Sequence, residues 1–241
     1  MNQNTLNAKC YVIFGGSSGI GLACAEALLL KGAFVTLVGR SKQKLAEATR
    51  NLGLHADIAI LDIANEKAME EFFSKNFFYD GLVCTAGETP PGAIDELDTQ
   101  RAKDGFNSKF WGQYFVVKYG SKRLKEHGSI VLTSGVFALR PGSNVGILAA
   151  VNGAVDSFVR AMAVELAPLR INALAPGYIN TPRLKKISGR DPKALLKKLD
   201  TQVPLKRIGE ASEAAESILY LLTNSYTTGV ILYIDGGITL R

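Results

Sequence analysis

Phe14-Gly15-Gly16-Ser17-Ser18-Gly19-Ile20-Gly21 joins a short apolar run, Tyr11–Phe14, to a segment of helical composition that starts at Leu22. Gly15 permits a sharp turn from strand to helix, Gly19 allows the backbone to approach a pyrophosphate, and Gly21 lets the helix pack against a sheet. The helix N-terminus would present unpaired N–H groups to the anion. The order of strand, turn and helix therefore predicts a dinucleotide site that includes Gly15, Ser17, Ser18, Gly19, Ile20 and Gly21.

The rest of the chain continues this alternation of apolar runs and amphipathic, helix-length segments. The predicted strands are Tyr11–Phe14, Phe34–Val38, Ala56–Ile60, Leu82–Cys84, Ile130–Thr133, Ile171–Ala175 and Val230–Tyr233. The predicted helices are Ile20–Lys31, Lys42–Leu52, Glu66–Asn76, a long one from about Asp98 to Glu126, Leu148–Ala167 and Ser212–Leu222. Since parallel strands need crossover helices, we expect an α/β fold with a Rossmann-type, doubly wound parallel sheet of seven strands.

The chain of 241 residues shows no linker or shift in composition, so we expect one domain over residues 1–241. Residues 180–203 form a long irregular insertion, which predicts a lid because such excursions often cover sites. No run approaches the roughly 20 apolar residues of a membrane helix, and the first residues lack a secretory pattern. We therefore expect a cytoplasmic protein that does not act at a membrane.

The net charge of +6 comes mostly from dispersed Lys and Arg, and no nucleic-acid motif is present, so we expect no nucleic-acid partner. Residues 183–198 are denser in positive charge, with seven Lys or Arg against Asp191. Two interpretations remain open for this run: a solvated helical surface, or a patch that steers an anionic substrate. Cys10, Cys24 and Cys84 are scattered, which predicts buried thiols and no metal site.

The spacing G-x-x-x-G-x-G resembles that of the short-chain dehydrogenase/reductase family, and further motifs follow in the family's order over about residues 10–237. Asp62-Ile63 resembles the adenine contact, and Ala86-Gly87 resembles the end of the turn after strand four, although Cys84-Thr85 replace two asparagines. Asn107 resembles the helix-four asparagine, which belongs to both the cofactor site and the catalytic site. Pro176-Gly177-Tyr178-Ile179-Asn180-Thr181 resembles the loop beside the nicotinamide, and Asp235-Gly236-Gly237 the C-terminal signature.

The resemblance implies a nicotinamide cofactor and a small-molecule substrate. The cofactor residues it implies beyond the glycine turn are Asp62, Ile63, Ala86, Gly87, Asn107, Pro176, Gly177, Ile179 and Thr181. It also implies a homodimer or homotetramer, because the helices predicted at Asp98–Glu126 and Leu148–Ala167 correspond to those that associate in the family.

The end of the second strand predicts which nicotinamide cofactor is preferred. An acid at this point binds the ribose 2′-hydroxyl of NAD, whereas a cation accommodates the 2′-phosphate of NADP. This chain has Gly39-Arg40-Ser41, with no acid. Because the planar guanidinium of Arg40 suits a phosphate, we expect NADP(H), with Arg40 and Ser41 at its 2′-phosphate.

The family's catalytic motif, Tyr-x-x-x-Lys, has no match. Alignment of the helix places Leu148 at the tyrosine position and Asn152 at the lysine position, and a shift finds neither residue type between Lys125 and Tyr178. Leucine has no proton to exchange and asparagine has no charge. Counting back thirteen residues from Leu148 gives Gly135 at the serine position, and a one-residue change in loop length would bring Ser134 toward the substrate.

Two side chains are candidate replacements for the missing proton donor. Tyr178 follows the Pro-Gly pair and is either the donor or an aromatic pocket wall. Lys109 lies two residues beyond Asn107 and would enter the site only if the helix is irregular there, because positions i and i+2 diverge. The catalytic candidates are thus Asn107, Ser134 and Tyr178, with Lys109 conditional on that irregularity.

Two functions follow from this pattern. One is an atypical NADP(H)-dependent oxidoreductase that acts on an unidentified carbonyl or alcohol. The other is a catalytically inactive member that binds NADP(H) as a sensor or serves as a structural partner subunit.

Overall fold

The computed structural model describes residues 6–50, 52–75, 77–140, 142–187, 199 and 201–240. Its strands are β1 (Cys10–Phe14), β2 (Phe34–Gly39), β3 (Ala56–Ile60), β4 (Tyr79–Cys84), β5 (Leu124–Thr133), β6 (Arg170–Pro176), β7 (Ile179–Asn180), β8 (Gly209–Glu210) and β9 (Ile231–Ile234). Its α-helices are α1 (Gly19–Leu29), α2 (Lys42–Thr49), α3 (Glu66–Ser74), α4 (Thr99–Phe106), α5 (Gly112–Gly120), α6 (Gly146–Glu165), α7 (Pro182–Ile187) and α8 (Ala211–Thr223).

Seven strands form one parallel sheet in the order β3-β2-β1-β4-β5-β6-β9, and β7 pairs with β8 separately. This confirms the expected seven-stranded, doubly wound architecture. The chain crosses over between β1 and its neighbour β4, and in such sheets ligands bind outside the carboxyl ends of the strands at this crossover.

Apolar side chains alternate between the two faces of the central strands, which builds a core on each side. Ile13 packs beneath α1, α2 and α8, whereas Val12 and Phe14 face α3, α5 and α6. Several helices begin at a side chain that accepts a backbone N–H, such as Asn65 at α3 and Asp98 at α4. Both cores hold the carboxyl ends of the strands at one common edge.

The long helix predicted from Asp98 to Glu126 was wrong at its C-terminal end. The helical path ends in a short 3-10 turn at Ser121–Arg123, and Leu124 already pairs with Tyr79 as the start of β5. Its middle is also irregular: Asn107–Trp111 form a π-helical turn between α4 and α5. The run Leu124–Glu126 lacks the local apolar periodicity of a strand, so only its pairing with β4 reveals it.

Helix α6 is long and apolar enough to cross a membrane, judged by length and composition alone. In the fold it packs against β6 and contributes Val151, Val155 and Val159 to the core. Its buried Asn152 and Asp156 hydrogen-bond within the domain. The apolar composition of α6 is therefore explained by its packing in the core of the domain.

The predicted lid at 180–203 lies partly outside the described residues. Asn180–Ile187, Leu199 and residues 201–203 are described, and of these α7 begins directly after Thr181. The remaining part, which carries Arg190, Lys193, Lys197 and Lys198, falls outside them, so the lid stays a prediction.

Candidate cofactor and catalytic site

The glycine turn after β1 lies against the turn after β4. Gly15 has a φ of +90°, and a Cβ added to it would lie 2.7 Å from the backbone nitrogen of Ala86. A Cβ on Gly21 would collide with the Gly15 carbonyl oxygen and would lie 2.6 Å from Thr85 Oγ1. Only glycine permits this close approach of helix, turn and neighbouring strand.

Thr85 bonds the turn after strand four to β1, at a position where the resemblance implies an asparagine. Its hydroxyl donates to the Phe14 carbonyl at 3.2 Å, and its backbone nitrogen donates to the same oxygen at 2.8 Å. On the other side, the Thr133 hydroxyl donates to the Cys84 carbonyl at 2.8 Å. The departure at Cys84-Thr85 therefore preserves the bonds that join β1, β4 and β5.

The N-terminus of α1 is suited to an anion. Its first turn carries no acidic side chain, and Ser18 precedes it without making a capping hydrogen bond. Ser17, Gly19 and Ile20 are each partly exposed at this end. Because the first N–H groups of a helix have no partner within it, this cradle fits a pyrophosphate.

Thr181 approaches the same turn from the other side. A Cβ on Gly19 would lie 3.2 Å from Thr181 Cγ2. The loop that holds Thr181 is fixed at Gly177, where a Cβ would lie 2.8 Å from the Asp235 Cα. Pro176 ends β6, and the buried Ile179 pairs with Gly209. The Pro-Gly loop and the glycine turn thus form the two walls of one cleft.

At the adenine end, Arg40 is 70% exposed and lies 3.8 Å from the Asp62 carboxylate. Asp62 also accepts from the Ala64 nitrogen, and Ser41 caps α2. The Ile63 side chain is buried against Gly112. A cofactor contact at Ile63 would therefore come from its backbone.

At the catalytic end, the π-helical turn brings Lys109 into the site. The Lys109 side chain is buried, with 7% exposure, and its Nζ donates to Asn152 Oδ1 at 2.6 Å and to the Ser134 carbonyl at 2.8 Å. A Cβ on Gly87 would lie 2.9 Å from the Lys109 Cα, so Gly87 makes room for the lysine. This is the irregular helix that the sequence analysis set as the condition for Lys109.

Asn107, by contrast, is exposed at the start of the same turn. Within this widened turn it is Lys109, and not Asn107, whose side chain hydrogen-bonds to Asn152, and the roles assigned to Asn107 stay predictions. The position beside Asn152 belongs to Lys109.

Ser134 also differs from expectation. It is buried, and its hydroxyl donates to the Asn152 carbonyl at 3.2 Å, so its backbone oxygen faces Lys109. Gly135 is the residue next to the Asn152 side chain, where a Cβ would lie 2.8 Å from Nδ2. The Ser134 hydroxyl is thus already used in a hydrogen bond within the protein, and its catalytic role stays a prediction.

Leu148 and Asn152 lie one turn apart on α6, with Leu148 half-buried and Asn152 buried. Tyr178 is half-buried and packs against the apolar cluster of Val136, Val203 and Ile238. These contacts match the pocket-wall interpretation of Tyr178.

Two buried polar residues near the site were not predicted from the sequence. Gln113 is fully buried in α5 and exchanges two hydrogen bonds with the backbone of Thr133, at 2.8 and 3.1 Å, which fixes the π-helical turn to β5. Asp156, one turn after Asn152, is also buried, and its Oδ1 has no hydrogen-bond partner among the described residues. A polar residue inside an apolar helix was the available signal in both cases.

The electrostatics of the site follow from burial. Burial and, to a smaller extent, the charge of Arg183 lower the pKa of Lys109 to about 7, while Asp156 and Cys84 act in the opposite direction. Burial also raises the pKa of the Asp156 carboxyl, against hydrogen bonds from Ser134 and Tyr233. The pKa of the Cys84 thiol rises to about 12 for the same reason. The pKa of Lys109 thus lies close to neutral pH.

Helix α7 reaches across the cleft to the turn after β4. Arg183 donates to the Gly87 carbonyl at 3.0 Å, and Lys186 lies 3.4 Å from the Glu88 carboxylate. Of the described residues in the basic run 183–198, Arg183 faces the site and lies close enough to Lys109 to affect its pKa.

Comparison with known proteins finds matches along nearly the whole chain. Residues 15–239 match a family model described as enoyl-(acyl carrier protein) reductase. Glucose and ribitol dehydrogenase homolog 2 of Arabidopsis thaliana is 34% identical, covering 99% of this chain and 88% of the relative. The short-chain dehydrogenase/reductase ucsE of Acremonium sp is 31% identical, covering 96% of each chain. A crystal structure of a small-chain dehydrogenase in complex with NADPH is similar, with 32% identity, a TM-score of 0.85, and coverage of 98% of this chain and 100% of that one.

Proposed function

Because this chain belongs to the short-chain dehydrogenase/reductase family, we propose that it is an oxidoreductase that uses NADP(H) to interconvert a carbonyl and an alcohol. The observation that carries this proposal is the buried Lys109, which lies beside Asn152 at one end of a dinucleotide cleft. The cleft would bind the cofactor, and the lysine would exchange a proton near neutral pH.

The described residues fit the cofactor. The glycine turn leaves a cradle that a Cβ at Gly15 or Gly21 would fill, and the start of α1 carries no acid. The 2′-phosphate would be held by Arg40 and Ser41, and the pyrophosphate by the N–H groups that begin α1. NADPH, when bound, would supply a hydride to the substrate carbonyl carbon. The relative solved with NADPH supports this choice of cofactor.

The substrate end of the cleft favours an anionic compound. Arg183 and Lys109 both face this end, and the described acidic group at its rim, Glu88, is already near Lys186. Two cations close together raise each other's free energy, and an anion between them would lower it. We therefore propose a carbonyl substrate that carries a carboxylate or phosphate.

A second candidate function is a catalytically inactive member that binds NADP(H) as a sensor or as a partner subunit. It is favoured by Leu148, which has no proton to exchange at the position that the resemblance assigns to tyrosine. The loss of a general acid typically lowers the rate about 10²–10⁴-fold without abolishing it, so the oxidoreductase stays the first proposal.

One experiment separates the two candidates. NADPH is titrated by its fluorescence, and its oxidation is then followed with neutral ketones and with 2-keto acids of similar size. We expect binding in both candidates, slow turnover of neutral ketones, and faster turnover of the acids. Binding with no turnover of either group would support the inactive member, and the absence of NADPH binding would contradict both.

A further inference from the structure

The amine of Lys109 lies beside position 152, where the resemblance assigns the motif lysine. It comes from a different segment of the chain, the π-helical turn. The resemblance assigns the motif lysine to position 152 on α6, and this chain has asparagine there. The Nζ of Lys109 lies 2.6 Å from the Oδ1 of that asparagine. The cation of the site is therefore supplied by the π-helical turn between α4 and α5.

A structural role does not account for this lysine. Burial of an ammonium is costly unless an opposite charge pairs with it. The described hydrogen-bond acceptors of Nζ are two neutral oxygens, from Asn152 and Ser134. The segment also adopts a π-helical turn, which is rare and is frequent at functional sites. An apolar side chain of equal length would fill the space without these costs.

The hydrogen bonds of Nζ leave it able to act on a ligand. An ammonium has three N–H donors, and two are used by Asn152 and Ser134. Leu148, one turn before Asn152, adds no competing polar group. Gly87 packs closely against the Cα, Cβ and Cγ of Lys109, and Gly135 against the Asn152 side chain, so the absence of side chains at these glycines makes room for the lysine and its partner.

We infer that Lys109 is the catalytic acid of this enzyme, an inference that rests on the proposed oxidoreductase function. As the carbonyl carbon receives hydride from bound NADPH, the carbonyl π electrons move to oxygen, and the Lys109 ammonium gives that oxygen its proton. The product is the alcohol, and Lys109 is left as a neutral amine that solvent reprotonates. In the reverse direction, the neutral amine takes the hydroxyl proton.

The groups around Lys109 match this role. Burial and Arg183 of α7 lower its pKa to about 7, while Asp156 of α6 and Cys84 of β4 act in the opposite direction. Both charge states are therefore populated near neutral pH, which a group that gives and takes a proton requires. Reduction needs the ammonium, so its rate should fall as the pH rises through about 7.

The test compares Lys109→Met and Lys109→Arg with Lys103→Met, a matched control at an exposed lysine of α4. We expect Lys109→Met to lower kcat for carbonyl reduction by about 10²–10⁴-fold, with the Kd for NADPH changed by less than about threefold. Lys109→Arg keeps a charge that does not titrate, so it should fail to restore turnover. Lys103→Met should behave like the unmutated protein. Full activity of Lys109→Arg would instead assign Lys109 as a positioning cation and overturn the inference.

A binding measurement gives a second readout that does not depend on turnover. Oxidised nicotinamide is positively charged and reduced nicotinamide is neutral, so a nearby ammonium disfavours the oxidised form. The ratio of Kd for NADP+ to Kd for NADPH should therefore fall severalfold between pH 6 and pH 8.5, and Lys109→Met should abolish this change. A ratio that is flat in the unmutated protein would overturn the inference.

A second variant, Asn152→Asp, keeps Lys109 and tests the inference even if Lys109→Met fails to fold. A carboxylate this close raises the pKa of the lysine, so the alkaline limb of the rate profile should move up by about one pH unit or more. An unmoved limb, or turnover that Lys109→Met leaves unchanged, would overturn the acid role alone. NADPH binding without any turnover would overturn the proposed function and the acid role together.

Discussion

We propose that the charge of Arg40 discriminates between NADPH and NADH, which differ by one phosphate. The guanidinium is 70% exposed, and its described ion pair, with Asp62, is long at 3.8 Å. Such a pair contributes little, so Arg40 can turn to a phosphate at small cost. A charge-assisted hydrogen bond to that phosphate would contribute roughly 1.5–3 kcal/mol.

Arg40→Ala is therefore expected to weaken NADPH binding by about tenfold or more, at roughly 1.4 kcal/mol per decade. NADH binding should be nearly unchanged, because NADH has no 2′-phosphate. Fluorescence titration with both cofactors measures the two changes in one preparation. Equal affinities for NADPH and NADH in the unmutated protein would contradict the predicted role of Arg40.

The burial of Lys109 also predicts how stability depends on pH. Its folded pKa of about 7 lies below its usual value of 10.5. Between these values the unfolded chain binds a proton that the folded chain has lost, so the contribution of Lys109 makes the free energy of unfolding rise with pH. Below pH 7 the full cost of burying the ammonium is present, and above 10.5 it is absent.

Lys109→Met has no charge to bury, so its stability relative to the unmutated protein should be greatest near pH 6 and should decline toward pH 10. Urea denaturation across this range, with Lys103→Met as the control, measures the difference. A constant difference between Lys109→Met and the unmutated protein would show that the lysine is not held at a lowered pKa.

At this scale the sequence predicted cofactor residues better than catalytic ones. Gly21 packs against Gly15, and Thr181 lies beside Gly19, because these positions depend on backbone turns, which local sequence determines. Lys109, and not Asn107, lies beside Asn152, because the direction of a side chain depends on whether the turn is α or π. Three-dimensional packing decides that, through residues such as Gln113, and no local motif encodes it.

Among the elements, the turn after β4 is joined to β1 by backbone hydrogen bonds and by one side-chain hydroxyl, that of Thr85. Thr85 Oγ1 donates to the Phe14 carbonyl at 3.2 Å and lies 3.4 Å from the Gly15 carbonyl. Thr85→Val keeps the shape and loses the hydroxyl, at a cost of about 1 kcal/mol. For a chain of this size the expected fall in Tm is about 2–4 °C, together with weaker NADPH binding because the glycine turn loosens.

Thr85→Ser is the control for this prediction, since it keeps the donor and should retain most of the affinity. Thermal unfolding followed by circular dichroism gives the change in Tm. A Thr85→Val variant as stable and as tight in binding as the unmutated protein would show that the turn does not need the hydroxyl.

The elements themselves were predicted where apolar periodicity is strong. Ala56–Ile60 has the predicted bounds, and the other predicted strands overlap the observed ones. Prediction failed over Leu124–Glu126, where the buried Leu124, which pairs with Tyr79 of β4, is followed by the polar, exposed Lys125 and Glu126. Long-range pairing of this kind leaves no local signal.

For the whole molecule, one surface is more apolar than an isolated domain needs. Val164 on α6 is 81% exposed, and Ala150 and Ala161 are exposed on the same helix. Beside it, Trp111 is 43% exposed and stacks edge-on with Phe110, which in turn packs against Phe158 of α6. Contiguous apolar surface of this kind marks an interaction site.

We therefore predict a homodimer or homotetramer that associates through α6, and Gly153 offers a test of this. A Cβ at Gly153 meets no atom within 4 Å, so a side chain there leaves the fold of the subunit undisturbed. In a two-fold interface both subunits use the same surface, and a residue near the axis lies close to its own copy. Gly153→Glu would then bring like charges together and lower the mass measured by light scattering at micromolar concentration, whereas Gly153→Ala should leave it unchanged. NADPH binding should persist in both variants, and a monomeric unmutated protein would contradict the prediction.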